Sequence, residues 1–264
     1  MIAQRFDTRV RLPPLKSGHY NWSVQTQVLH PWNVTTGEAR EIQERLAPLV
    51  VREGVPESVR LLAAADISVR RERSLARGAV VVLTYPEMEV VEESIVEDEP
   101  RFPYVPGLLT FREAPILLRA FEQLRCRPDL LLVDGQGYAH PRRFGIACHL
   151  GLLLDLPTIG CAKSRLCGRH AVPDEAAGSH IPLFDGGEVI GSVVRTRDGT
   201  APLFVSVGHR VGLEEAVEWV LRCCRGHRLP EPARAAHMAA GGHLDAWRAM
   251  ARVRRERAAR AVLR

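Results

Sequence analysis

The chain has 264 residues, 46% hydrophobic, 25% charged and 6% aromatic, which is enough for one large core or two small ones. Its longest apolar run, at 151–156, falls far short of the roughly 18 residues of a membrane span; residues 1–20 lack the apolar stretch of a secretory signal; and the six cysteines show no metal-ligand spacing, so the expected setting is the reducing cytoplasm. The formal charge of +5 sits in residues 245–264, where seven Arg meet only Asp245 and Glu256, so the rest is neutral and composition alone does not point to nucleic acid.

Residues 1–30, with Pro13-Pro14 and weak periodicity, read as an N-terminal extension. A Thr35-Thr36-Gly37-Glu38 start leads into Ile42, Leu46, Leu49 and Val50, which predicts an amphipathic helix over 36–53. Three strand-like runs follow, at 60–69, 78–84 and 89–96, suited to an antiparallel meander. Residues 100–107 hold three prolines, too rigid and too poor in N–H donors for a central strand or a helix interior. Thr110 is then expected to cap a helix with Glu113 at its third position and Phe111, Leu117, Leu118, Phe121 and Leu124 on the buried side.

The apolar run 130–133, ending in Asp134-Gly135, has the pattern of a buried parallel strand. A helix at 144–154 and strands at 158–161, 189–194 and 203–207 follow, then a helix at 213–224. Beyond Pro230 and Pro232, a helix is expected only from about residue 244, with Arg around most of its face. The expected organisation is an extension to residue 30, a catalytic domain over 31–240 and an Arg-rich helical tail over 241–264.

Three meander strands followed by a right-handed crossover place the fourth strand beside the first and parallel to it. That is the α/β, ribonuclease-H-like arrangement: a mixed sheet of antiparallel then parallel strands flanked by helices. It gives three carboxylates a common destination. Asp66 sits inside the apolar stretch 61–69, where an unpaired charge is costly. Asp134 closes the neighbouring strand, and Glu113 leans over from the crossover helix. Like charges this close need a compensating cation. Hard oxygen ligands in incomplete number suit Mg²⁺, with Mn²⁺ able to substitute, and such an ion can activate water at a phosphodiester.

The segment Phe102-Pro103-Tyr104-Val105-Pro106-Gly107-Leu108-Leu109-Thr110-Phe111-Arg112-Glu113 resembles the defining motif of the endonuclease V family. So does Val133-Asp134-Gly135-Gln136-Gly137-Tyr138-Ala139-His140-Pro141-Arg142-Arg143-Phe144-Gly145. Ser206-Val207-Gly208-His209-Arg210-Val211 is similar to the family's late histidine motif, with Val207 where relatives carry proline, and Leu229-Pro230-Glu231-Pro232 to its closing segment. The resemblance spans about residues 32–238 and implies metal-binding Asp66 and Asp134, with Glu113 as third acid, binding directly or through water. It implies an active-site lysine at Lys163 and a catalytic histidine at His209. In a chain with 34 Arg and only Lys16 and Lys163 as Lys, a lysine after a core strand independently suggests a compact ammonium facing phosphate.

The resemblance also implies a wedge. Pro103 and Pro106 hold Tyr104 outward so that its ring can enter a base stack, while Gly107, Gly135 and Gly137 let backbone approach an extruded base. His140 and His149 read as packing or DNA-contact residues. The implied activity is Mg²⁺-dependent hydrolysis of DNA containing deaminated bases, chiefly deoxyinosine, at the second phosphodiester bond 3′ to the lesion, which is left in place. Inosine-containing RNA is the alternative substrate, and a non-catalytic lesion-binding protein the alternative of another class. A cysteine hydrolase built on Cys148-His149 is disfavoured because adjacent helical residues point apart.

Overall fold

The computed structural model describes residues 26–262 except 55, 57 and 71–74, and only the backbone of residues 70 and 254–262. After helix α1 (Thr36–Leu46) come three antiparallel strands, β1 (Leu61–Arg70), β2 (Leu75–Thr84) and β3 (Val90–Asp98). Helix α2 (Leu109–Phe121) crosses over to β4 (Leu130–Val133), which pairs with β1 in parallel, and α3 (Ile146–Leu154) leads to β5 (Thr158–Ala162), parallel to β4. A second meander, β6 (His180–Asp185), β7 (Glu188–Val194) and β8 (Leu203–His209), joins through β8 antiparallel to β5. The single sheet runs β3-β2-β1-β4-β5-β8-β7-β6, the ribonuclease-H-like order expected from the sequence. Helices α4 (Leu213–Arg222), α5 (Glu231–Gly241) and α6 (Leu244–Val262) complete the chain.

Alternation along the strands sorts the core into two layers. Leu61, Ala63 and Ala65 of β1, with Leu131 and Val133 of β4, pack against Ala114, Leu117 and Phe121 of α2 and Leu150 and Leu153 of α3. Leu62 and Ala64, with Leu130 and Leu132, face the opposite layer, where Ala235, Ala236, Ala239 and Ala240 of α5 pack. Because side chains alternate with period two, Asp66 and Asp134 belong to the α5 side. Alanine meets alanine there, Ala64 and Ala79 under the helix, so α5 can approach closely enough for a side chain to reach the carboxylates.

Several boundaries differ from the sequence reading for identifiable reasons. Helix α1 stops at Leu46, with one 3-10 turn at Ala47–Leu49, because Pro48 supplies no amide for a further turn. Helix α2 starts at Leu109, so Thr110 is buried inside it and caps nothing, and Glu113 stands on the second turn rather than in a capping box. Strand β6 is not apparent in the sequence pattern: Pro182 interrupts it, which an edge strand tolerates. Helix α5 is likewise hidden, since Pro230 and Pro232 suggest irregular chain; they occupy its cap and second position, where proline costs no hydrogen bond.

The extension and the tail are less separate than expected. Gln27 N donates to Leu153 O at 2.9 Å, and His30 is buried, so residues 27–30 already belong to the body. Residues 1–25 lie outside the described residues. Leu244, Trp247 and Ala251 of α6 are buried in the same layer as α5, and Arg248 pairs with Glu93 of β3 at 2.7 Å. The start of the tail is thus a docked amphipathic helix, anchored by a tryptophan.

Candidate active site

Asp66 and Asp134 are brought together by the β1–β4 register. Ala65 pairs with Val133, and Asp134 N donates to Ala65 O at 3.2 Å, which leaves the two aspartates side by side where the parallel pair ends. Asp66 Oδ1 accepts from Ile67 N at 2.8 Å, and its Oδ2 is hydrogen-bonded to His237 Nδ1 at 2.8 Å. Asp134 Oδ2 forms an ion pair with Lys163 Nζ, delivered by the residue that follows β5. Burial, and then the neighbouring Asp134 charge, hold the Asp66 carboxyl above the ordinary carboxylate range against the opposing pull of His237 and Lys163.

Glu113 reaches the same place from the α2 layer. Its pKa is pushed up to about 8, mainly by burial and then by the Asp66 charge, with Arg112 opposing and Asp134 adding to the rise. Ligand atoms of Asp66, Asp134 and His237 all lie within 4.8 Å of one another, and Glu113 stands outside this tight cluster. Two half-screened carboxylates and an imidazole form an incomplete shell with room for water or a phosphate oxygen. This donor set fits a divalent cation such as Mg²⁺ or Mn²⁺.

His237 is the residue that reading the sequence missed. It lies on the helix that the two prolines concealed, and 56% of its side chain is exposed beside the almost covered Asp66. Its only signal was position: five residues beyond Pro232, on a helix whose alanines pack on β1 and β2. His209 is not at this centre. It ends β8 opposite Thr158, the first residue of β5, whereas Lys163 follows the other end, about 13 Å of strand away. It is buried, its Nδ1 accepts from Val51 N at 3.2 Å, and burial lowers its pKa to about 4. His209 therefore lies apart from the carboxylate cluster, hydrogen-bonded to the chain at Val51.

Beside the cluster opens a cavity of about 320 Å³. Tyr104, Val105, Pro106 and Gly107 form one wall, Asp134, Gly135 and Gln136 the floor, and the 162–166 segment, including Lys163, the other wall. Tyr104 lines this cavity with 72% of its surface exposed. The loop is rigid beneath it: Gly107 adopts φ +78°, and its carbonyl accepts from Gln43 Nε2 (3.0 Å), His140 Nε2 (2.9 Å) and Arg142 Nη2 (2.9 Å). Pro103 is exposed and Pro106 lines the cavity.

His140 is thus a clamp. Its Nδ1 accepts from Arg142 N at 3.1 Å, which leaves Nε2–H to donate to Gly107. Burial lowers its pKa to about 4, with Arg142 and Arg143 adding to the effect of burial. His149 is fully buried, 2.6 Å from His30 Nε2 and packed against Trp32, Phe111 and Phe144, so it is a core residue. Its neighbour Cys148 is also buried, and desolvation raises its thiol far out of the reactive range. Gly135 lines the cavity, but Gly137 does not: a Cβ there would lie 2.1 Å from Val207 O, so that glycine allows the loop after β4 to lie against β8.

A sequence profile for Endonuclease V matches residues 44–238. The chain belongs to the Endonuclease V family. Endonuclease V of Gloeobacter violaceus is 58% identical over 213 residues, covering 79% of this chain and 86% of that protein. The Dehalococcoides mccartyi enzyme is 52% identical over 218 residues, 83% of this chain and 98% of its own length. The crystal structure of Endonuclease V from Streptomyces avermitilis superposes with a TM-score of 0.76 at 40% identity, covering 85% of this chain and 98% of that one. That of Ciona intestinalis Endonuclease V in complex with a 24mer DNA containing an inosine followed by a ribo-adenosine superposes at 0.70 with 28% identity over 79% and 97% of the two chains. Membership makes the protein a nuclease, a hydrolase of phosphodiester bonds, and its acidic cluster is the part of the fold suited to the divalent metal such nucleases use.

Proposed function

We propose that this Endonuclease V hydrolyses DNA at the second phosphodiester bond 3′ to deoxyinosine, leaving the deaminated base in place between 3′-hydroxyl and 5′-phosphate ends. The observation that carries this reading is the shared wall of cavity and cluster. Asp134 and Lys163 line a space of about 320 Å³ whose rim is the exposed Tyr104. A base extruded past Tyr104 into that space would leave its 3′ backbone near the carboxylates. Recognition of inosine-containing DNA by the Ciona relative supports the same substrate.

Asp66, Asp134 and His237 would hold the cation, Mg²⁺ by preference with Mn²⁺ substituting. When bound there, it supplies Lewis-acid polarisation of the phosphate and lowers the pKa of water. The protein's own groups do the rest. Lys163 Nζ places a positive charge where the attacked phosphate gains negative charge. Glu113, whose carboxyl is held above the ordinary carboxylate range by burial and then by the Asp66 charge, can carry a proton beside the cluster. Tyr104 fills the gap left in the stack. The six free thiols suit the reducing cytoplasm as the place of action.

An end-labelled duplex with one deoxyinosine, incubated in Mg²⁺ or in EDTA and read on a sequencing ladder, tests the reading. A metal-dependent nick one bond beyond the lesion's own 3′ phosphodiester is expected. Replacing Asp66 or Asp134 by alanine should reduce cleavage by more than about a thousandfold, the scale of several kcal/mol of transition-state stabilisation. Full activity in a folded variant would remove the metal assignment. The ribo-adenosine after inosine in the Ciona complex makes an inosine ribo-oligonucleotide the necessary companion substrate; cleavage of that strand alone would move the function to RNA.

A further inference from the structure

We infer that Arg228 is a positioning residue of the reaction, acting through Lys163; this rests on the reading of Lys163 as an active-site group. Lys163 and Ser164 follow the last paired residue of β5, so strand pairing does not fix them. Side chains hold their carbonyls instead. Arg228 Nη2 donates to Lys163 O at 2.7 Å, and Gln136 Nε2 donates to Ser164 O at 2.8 Å. The same guanidinium reaches the loop before β8, Nη2 donating to Pro202 O at 2.9 Å and Nε to Ala201 O at 2.7 Å. The backbone of Arg228 is held in turn, its carbonyl accepting from Thr196 Oγ1 at 2.5 Å.

Arg228 forms no ion pair with any described residue; its hydrogen bonds go to three backbone carbonyls. It stands three residues before α5, the helix that sets His237 on Asp66. One planar fork therefore ties the root of that helix to the backbone of Lys163, so the two basic side chains that face the carboxylates keep a fixed relation. A lysine ammonium is a single point and cannot reproduce the fork.

The test is a mutant cycle of Arg228→Ala and Lys163→Ala, measured by single-turnover cleavage of the deoxyinosine duplex, with Arg228→Lys as a milder third variant. Arg228→Ala should lower the cleavage rate about tenfold, or about 1.4 kcal/mol, with KM within about twofold. In the Lys163→Ala background it should cost almost nothing more, since residues acting as a unit are non-additive. Equal losses in both backgrounds would make Arg228 merely structural.

A second readout needs neither metal nor activity. Lys16 and Lys163 are the only lysines, so amine acylation followed by mass spectrometry reports on Lys163 with Lys16 as internal reference. Arg228→Ala should speed Lys163 acylation severalfold by loosening its pairing with Asp134. Should that variant fold poorly, Arg228→Lys is expected to give the same change in smaller measure. An unchanged acylation rate in a folded variant overturns the clamp. Wild-type activity in Lys163→Ala would instead remove the catalytic reading of Lys163 and leave the acylation result standing.

Discussion

His237 Nδ1 lies 2.8 Å from Asp66 Oδ2, joining residues 171 positions apart in the chain. The contact closes a cluster that β1 and β4 begin and α5 completes. It also makes His237 a ligand candidate and not a surface histidine. Replacing it with alanine should raise the Mg²⁺ concentration needed for half-maximal cleavage about tenfold or more, because one donor of an already incomplete shell is gone. Metal titration of cleavage decides this, and an unchanged half-saturation point would limit His237 to orienting Asp66.

The clamp on the wedge loop should be sensitive to acid. His140 is neutral in the fold and its pKa is lowered to about 4, whereas in the unfolded chain it titrates near 6.5. Protons bind the unfolded state first as pH falls, so this group's contribution is fully present above about 6.5 and is lost progressively between there and 4. The whole shift corresponds to about 3 kcal/mol. Denaturant midpoints from pH 7.5 to 4.5 should fall more steeply for the wild type than for His140→Gln, whose amide can still donate to Gly107. Parallel curves would refute the assignment.

Tyr104→Ala tests the wedge without disturbing the fold. The ring is mostly exposed, so stability should change by less than about 0.5 kcal/mol. Discrimination between deoxyinosine and undamaged duplex should drop about tenfold, the scale of one lost stacking contact. Equal loss on both duplexes, measured by competition for a fixed amount of enzyme, would mean Tyr104 only contacts the backbone.

Gly137→Ala should be severe although the residue faces no substrate. Its Cβ would meet the Val207 carbonyl at 2.1 Å and the following backbone as well. The loop carrying Gly137 is hydrogen-bonded to β8 through Tyr138 N and Val207 O, and the strand is buried, so neither yields cheaply and a loss of at least about 2 kcal/mol is expected. A chemical denaturation curve superposable on the wild type would show that the loop can move off β8.

The sequence alone determined the frame and most of the centre. Alternating apolar runs fix which face each strand buries, so the order of strands and the crossover rule were enough to set Asp66 beside Asp134. The scarcity of lysine singled out Lys163, which forms the Asp134 ion pair. The Pro-rich segment announced a rigid loop, and Tyr104 stands exposed on it. Each of these signals is local or follows from strand order. What only the tertiary structure decided depends on approach between elements far apart in the chain. His209 and His237 are both histidines near helix or strand ends, and no local pattern separates them. The choice was made by which one the packing of alanine on alanine carries to the carboxylates. The same holds for Gly137, read as a site for substrate and found to accommodate backbone, and for the tail, whose Trp247 is buried in the layer that α5 forms on the sheet.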